Sequence, residues 1–185
     1  MESETHIICA YDVAADGSCS PVGALENATV PPQSGYRWLH VDLKHPETEP
    51  WLHAHFSVAV VEALTQSETR PRCIAMEDGL FLNLRGVNLN PGANADDMVS
   101  VRLWTSGNLI ISARMRKVWA IDTLRARMDA GQGPENLSMF LAELAYGLTK
   151  RIESVSLELV EGTDALEEDT LAAGKTVDAT LATLR

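Results

Sequence analysis

Between residues 98 and 122 the hydrophobic period changes from two residues to about 3.6, and that switch narrows the folds open to the chain. Val99, Val101 and Leu103 alternate with Ser100, Arg102 and Trp104, the mark of a strand with two different faces. Ser106-Gly107-Asn108 has turn chemistry, because Gly and Asn tolerate positive φ. Leu109-Ile110-Ile111 then returns as a more buried strand. From Lys117 the helical period takes over. Val118, Ile121, Leu124, Ala126 and Met128 fit one side of a helix, and Asp122, Arg125 and Arg127 the other. A hairpin whose chain crosses back over its own sheet as a helix is a unit of layered structure.

The rest of the first two thirds fits around that unit. Residues 6–14 and 36–43 read as strands, separated by a loop rich in Pro, Gly and Ser with room for one short strand. Pro46-Glu47-Thr48-Glu49 resembles a helix opening, with acids at the positive end of the helix dipole. Ser57 is placed to cap a second short helix over residues 58–66. Arg70-Pro71-Arg72 closes this helical region. Residues 73–77 and 79–89 form a hairpin about Glu77-Asp78-Gly79, with Leu80, Leu82 and Leu84 on one face and Phe81, Asn83 and Arg85 on the other. Antiparallel hairpins dominate. The expected fold is therefore α+β: an α/β/α sandwich whose mixed, mainly antiparallel sheet is flanked by helices. Residues 1–135 make up this domain.

Residues 136–185 have a different character. Apolar residues fall at Leu137, Leu141, Leu144, Leu148, Ile152, Val155 and Leu159, in steps of three and four. A helix over residues 137–161 would be ~37 Å long at 1.5 Å per residue, more than one small sheet needs. Gly162 either ends it or is tolerated at a cost of ~1 kcal/mol. Ala173-Gly174-Lys175-Thr176 suggests a turn, and Leu181 and Leu184 begin another amphipathic helix. A chain that stops inside a rising helix is expected to be part of something longer.

Charge and composition exclude some functions. A formal net charge of −11 over 185 residues argues against nucleic acid, whose phosphates demand a positive face. It suits a soluble surface, and equally one that concentrates cations. The three cysteines, Cys9, Cys19 and Cys73, form no Cys-x-x-Cys pair and fit free thiols in a reducing compartment. The acidic amino terminus is no secretory signal, and no apolar run approaches the ~20 residues needed to span a bilayer. The expected location of the chain is cytosolic.

Few residues form a motif that carries chemistry. Gly174-Lys175-Thr176 lacks the upstream Gly of a phosphate-binding loop, since Asp169 stands there. No Gly-x-Ser-x-Gly elbow or His-Glu-x-x-His motif is present, so nothing asks for an enzyme. His53 and His55 could ligate a metal from a strand or loop, but on a helix residues two apart do not share a face. His6, His40 and His45 stand at no recognisable ligand spacing and read as surface or packing residues. Glu161, Asp164, Glu167, Glu168 and Asp169 are the candidate metal ligands, able to hold a hard cation through carboxylate oxygens. A solvated acidic helix face accounts for the same residues. Arg114, Arg116, Lys117, Arg125 and Arg127 form one basic patch, suited to ion pairs within the chain, to acids of a neighbouring subunit, or to an anion.

An ordered set of segments resembles the amino-terminal cytosolic domain of the CorA family of metal-ion transporters, in its zinc-transporting ZntB branch. They are Ser67-Glu68-Thr69-Arg70-Pro71-Arg72, Gly79-Leu80-Phe81-Leu82-Asn83-Leu84-Arg85-Gly86-Val87-Asn88, Met98-Val99-Ser100-Val101-Arg102-Leu103-Trp104, Leu109-Ile110-Ile111-Ser112-Ala113-Arg114-Met115-Arg116-Lys117-Val118 and Ala120-Ile121-Asp122. Leu181-Ala182-Thr183-Leu184-Arg185 resembles the start of the family's stalk helix. The resemblance implies a funnel-shaped homopentamer on the cytoplasmic side of the inner membrane. In it, an α/β/α domain leads through a stalk helix to two membrane helices and a Gly-Met-Asn signature, all beyond residue 185. It implies zinc or another divalent cation as the transported or regulatory ion, and no required cofactor. Contact with the membrane would come only through the missing carboxyl-terminal helices. A stand-alone cytosolic cation-sensing or protein-interaction module is the alternative that the residues leave open.

Overall fold

The computed structural model describes residues 5–23, 28–67, 70–93 and 97–173. Seven strands and four helices follow one another as β1 (Ile7–Val13), β2 (Cys19–Pro21), β3 (Tyr36–Asp42), α1 (Thr48–His55), α2 (Val58–Thr65), β4 (Arg72–Met76), β5 (Gly79–Val87), β6 (Met98–Ser106), β7 (Leu109–Arg114), α3 (Trp119–Asp129) and α4 (Leu137–Ala173). The strands form one sheet in the order β2-β1-β3-β7-β6-β5-β4. Only β3 and β7 are parallel, with Trp38 opposite Ile110. The expected mixed, mainly antiparallel sheet is what forms.

Both faces of the sheet are covered. On one, Tyr36, Trp38, Val99, Val101, Leu103 and Ile110 pack with residues of α3 and the start of α4. On the other, Leu39, Val41, Phe81, Trp104 and Ile111 pack with Leu52 of α1 and Val60, Val61 and Leu64 of α2. The alternation in β6 thus separates two cores rather than a core from solvent. Arg102, on the second face, is almost fully buried. Its Nη2 donates to the Gln66 carbonyl at 3.1 Å, at the carboxyl end of α2 where the helix dipole favours a cation.

Local signals act where expected. Gly107 turns the β6–β7 hairpin at φ 54°. Glu77 takes φ 55° in the β4–β5 turn, and its carboxylate accepts from the Ser57 hydroxyl at 2.6 Å. That hydroxyl also caps α2 by accepting from Val60 N–H. Pro50 lies in the first turn of α1, where its missing N–H costs nothing. In α3 the buried face is Ala120, Ile121, Leu124 and Met128, whereas Ala126, expected on that face, is exposed. At about 100° per residue Ala126 stands on the opposite side of the helix from the middle of that face, so helical phase turns it outward.

Asn136 opens α4 by accepting from Met139 N–H. The helix runs through Gly162 without ending and spans 37 residues, ~55 Å at 1.5 Å per residue. Phe140, Leu144 and Leu148 complete the core, and Leu148 lies directly over Gly86 of β5. Between residues 149 and 170 no side chain is buried. The turn expected at residues 173–176 and the helix beginning at Leu181 and Leu184 fall, apart from Ala173, outside the described residues.

Candidate functional site

Glu161, Asp164, Glu167, Glu168 and Asp169 all lie on the outer part of α4, exposed to solvent. At about 100° per residue, Glu161, Asp164 and Glu168 fall along one narrow stripe, with Glu167 and Asp169 to either side. The helix thus aligns three of the five along its surface without gathering them around a point. They are not among the described groups of side chains whose ligand atoms converge within metal-binding reach.

The histidines are distributed differently. His53 and His55 sit on α1, two residues apart on a helix and so on different faces. His53 Nε2 lies 3.9 Å from Glu49, and His55 Nδ1 bonds the Trp51 carbonyl at 2.8 Å. His40 is fully buried, with Nδ1 2.8 Å from Ser112 Oγ, which also accepts from Trp38 Nε1. Burial first, then the charges of Arg114 and Arg125, hold its imidazole down at about 3. It is the packing histidine expected.

His6 and His45 come together with Glu47, although the three share no sequence spacing. The β1–β3 pairing brings Ile7 opposite Val41, and Asp42 N–H donates to the His6 carbonyl at 2.9 Å. The turn after β3 then carries His45 and Glu47 back past His6. The signal that could have found this was the pairing of the first two strands, which places residue 6 beside residue 42.

The basic patch divides in two. Lys117 pairs with Asp122 at 3.3 Å, and Arg127 pairs with Glu143 across the α3–α4 contact. Arg114, Arg116 and Lys117 also line an open cleft of about 510 Å³ with Asp42 and Asp97, so acids face the cations there. Cys9, Cys19 and Cys73 are free thiols, and burial pushes Cys9 up to about 12.

A seven-stranded sheet between helical layers, continued by a helix that leaves the globule with apolar and acidic side chains in the open, defines a class: an α/β/α sandwich domain extended by one long helix. The chain belongs to the CorA family, whose model, described as CorA-like Mg2+ transporter protein, matches residues 33–182. The divalent cation transporter CmaX of Pseudomonas aeruginosa is 38% identical over 134 residues, 71% of this chain and 40% of that protein. The zinc transport protein ZntB of Pectobacterium carotovorum is 34% identical over 166 residues, 88% of this chain and 49% of that protein. The chain thus spans about half the length or less of these curated relatives. Among solved structures, full-length CmaX matches all of this chain and 58% of its own, with a TM-score of 0.84 at 31% identity. The ZntB cytoplasmic domain of Vibrio parahaemolyticus matches 85% of this chain and 63% of its own, with a TM-score of 0.71 at 27% identity. Among the described residues, no helix is long and apolar enough to cross a membrane.

Proposed function

We propose that this chain is the cytosolic domain of a CorA-type, ZntB-like transporter of divalent cations, with zinc as the cargo. In the full-length protein five copies line a funnel on the cytoplasmic side of the inner membrane. Residues 1–135 form its α/β body, and residues 136–185 form the arm that leads into the stalk. The observation that carries this reading is the course of α4. Between residues 149 and 170 it has no buried side chain yet exposes Ile152, Leu157, Leu159 and Val160. Fully covering one such side chain stabilises an assembly by up to about 1.5–3 kcal/mol, and in this reading copies of the same arm do the covering. The acids Glu161, Asp164, Glu167, Glu168 and Asp169 run along the same arm. With a net charge of −11 they raise the local concentration of cations at a funnel wall. A cation held between arms biases the pore only by binding one arrangement better than the other.

The test is a chimera in which residues 1–185 replace the matching region of CmaX, reconstituted in liposomes with a zinc-sensitive dye inside. Zinc entry is the expected result. A chimera that inserts and assembles but passes no divalent cation overturns the proposal. Repeating the assay with the five acids changed to Ala tests the arm, and unchanged flux and zinc binding remove those residues from the mechanism. The gene downstream of Arg185 gives a further check, where two apolar segments of ~20 residues are expected. A stop codon there favours the stand-alone sensing or interaction module instead.

A further inference from the structure

Of the five histidines, His6 and His45 lie beside the opening of α1, and His53 and His55 stand in its last turn. Three side chains there converge: His6, His45 and Glu47 offer ligand atoms that all lie within 4.8 Å of one another. The His6 and His45 rings have centroids 6.0 Å apart, and Trp51 covers His6 at 5.3 Å. The His6 side chain is 19% exposed, and its Nε2 is buried with no hydrogen-bond partner among the described residues, a costly feature of a fold. Its Nδ1 lies 3.8 Å from the Glu47 carboxylate, too far for a hydrogen bond.

We propose that His6, His45 and Glu47 form a binding site for a zinc-like divalent transition metal, one that clasps the start of β1 to the start of α1. The donor chemistry selects the ion. Two imidazoles and a carboxylate suit zinc and its neighbours, whereas magnesium and calcium prefer sites built from oxygen alone. Three protein ligands leave a fourth position for water or for a further side chain. Tetrahedral bonds of ~2.0–2.2 Å place ligand atoms about 3.3–3.5 Å apart, so the site closes by side-chain movements of about an ångström. Glu47, 75% exposed, has the freedom to make them.

The cost of occupation is small. His45 Nδ1 now accepts a long bond of 3.2 Å from Glu47 N–H. The ion either takes that lone pair or binds Nε2 after the ring changes tautomer. Both routes release one weak bond at an exposed helix end, where water satisfies the amide. The site is independent of transport: it needs only this chain, folded, and its failure leaves the proposed function standing.

Cobalt(II) is the probe, because a histidine-ligated ion absorbs visible light. Titration of the chain at pH 7 is expected to give one bound cobalt with the spectrum of a four- or five-coordinate site, displaced by zinc and not by magnesium. His6→Gln and His45→Gln should each weaken binding by more than about tenfold, since even outer groups cost a site 10–100-fold. His53→Gln and the arm variant Glu161→Ala/Glu168→Ala should leave it unchanged. In the unaltered chain, which removes any question of misfolding, zinc should protect His6 and His45, but not His53, from carbethoxylation mapped by mass spectrometry. No saturable cobalt spectrum, undiminished binding in the double variant His6→Gln/His45→Gln, or equal modification of His6 with and without zinc would each overturn the site.

Discussion

Residues 137–148 and residues 149–170 belong to one unbroken helix, yet they present two different surfaces. The first part places Phe140, Leu144 and Leu148 in a core shared with β5, β6 and α3. The second continues the same apolar repeat through Ile152 and Leu159, both exposed among the described residues. A helix is held by the packing of its apolar face more than by propensity, so the two parts should differ in every measure of local stability. The difference teaches that a periodic pattern marks a face to be covered without saying what covers it.

Acid should separate the two parts most strongly. His40, deep in the body, resists protonation down to about 3 when folded and takes a proton near its ordinary 6.5 when unfolded. The unfolded state therefore binds a proton that the folded state refuses. His40's contribution is fully present above pH 6.5 and is lost as pH falls toward 3, by on the order of 5 kcal/mol over the whole window. The arm between residues 149 and 170 holds no histidine and so lacks this source of acid sensitivity. Urea unfolding followed by fluorescence reports mainly the body, since Trp38, Trp51, Trp104 and Trp119 all precede α4. Its midpoint should fall between pH 7 and pH 4.5, and His40→Gln should flatten the slope. Amide protection in residues 149–170, corrected for the intrinsic exchange rate, should change little over the same range. An arm that loosens in step with the body would mean the two are one cooperative unit.

Truncating one leucine in each part comes next in size. Leu144, fully buried, should cost about 2–5 kcal/mol as Leu144→Ala, through lost burial and a cavity against Phe140 and Ile121. Leu159→Ala, at an exposed site, should stay within about 0.5 kcal/mol for a dilute single chain. Denaturant titration measures both. If Leu159→Ala costs as much as the core change, and more at higher protein concentration, the arms are already packed against one another.

The sheet was legible because its signals are local: β6 and β7 alternate, Gly107 turns them, and the period changes before Trp119. The start of α4 was only partly so. Its leucine repeat marked Leu137 and Leu141, which are half-buried, while Phe140, fully buried against Trp38, stood outside that pattern. Rotation of a helix against a sheet is set by which large side chain finds a gap, and a repeat in steps of three and four does not choose among neighbours. Gly162 illustrates a related limit, since a single helix-weakening residue cannot overrule the many good helix formers on either side. The converging histidines were illegible because their meeting depends on strand register. His6 and His45 are brought together by the pairing of β1 with β3, a long-range fact that no spacing along the chain records.

Two glycines offer the smallest and most direct test of the contrast, because the same substitution meets opposite surroundings on one helix. A Cβ at Gly162 would touch nothing within 4 Å, so Gly162→Ala should contribute only its propensity, firming the arm by about 1 kcal/mol. A Cβ at Gly147 would stand 3.2 Å from the Ala120 Cβ, where α4 faces α3. There the propensity gain is set against a crowded contact, and Gly147→Ala should be neutral or destabilising by up to about 1–2 kcal/mol. Thermal unfolding followed at the tryptophans reads the second change, and amide exchange in residues 155–170 reads the first. Should Gly162→Ala instead destabilise the protein, a surface must already lie against that glycine, and the outer helix would be covered rather than waiting for its partners.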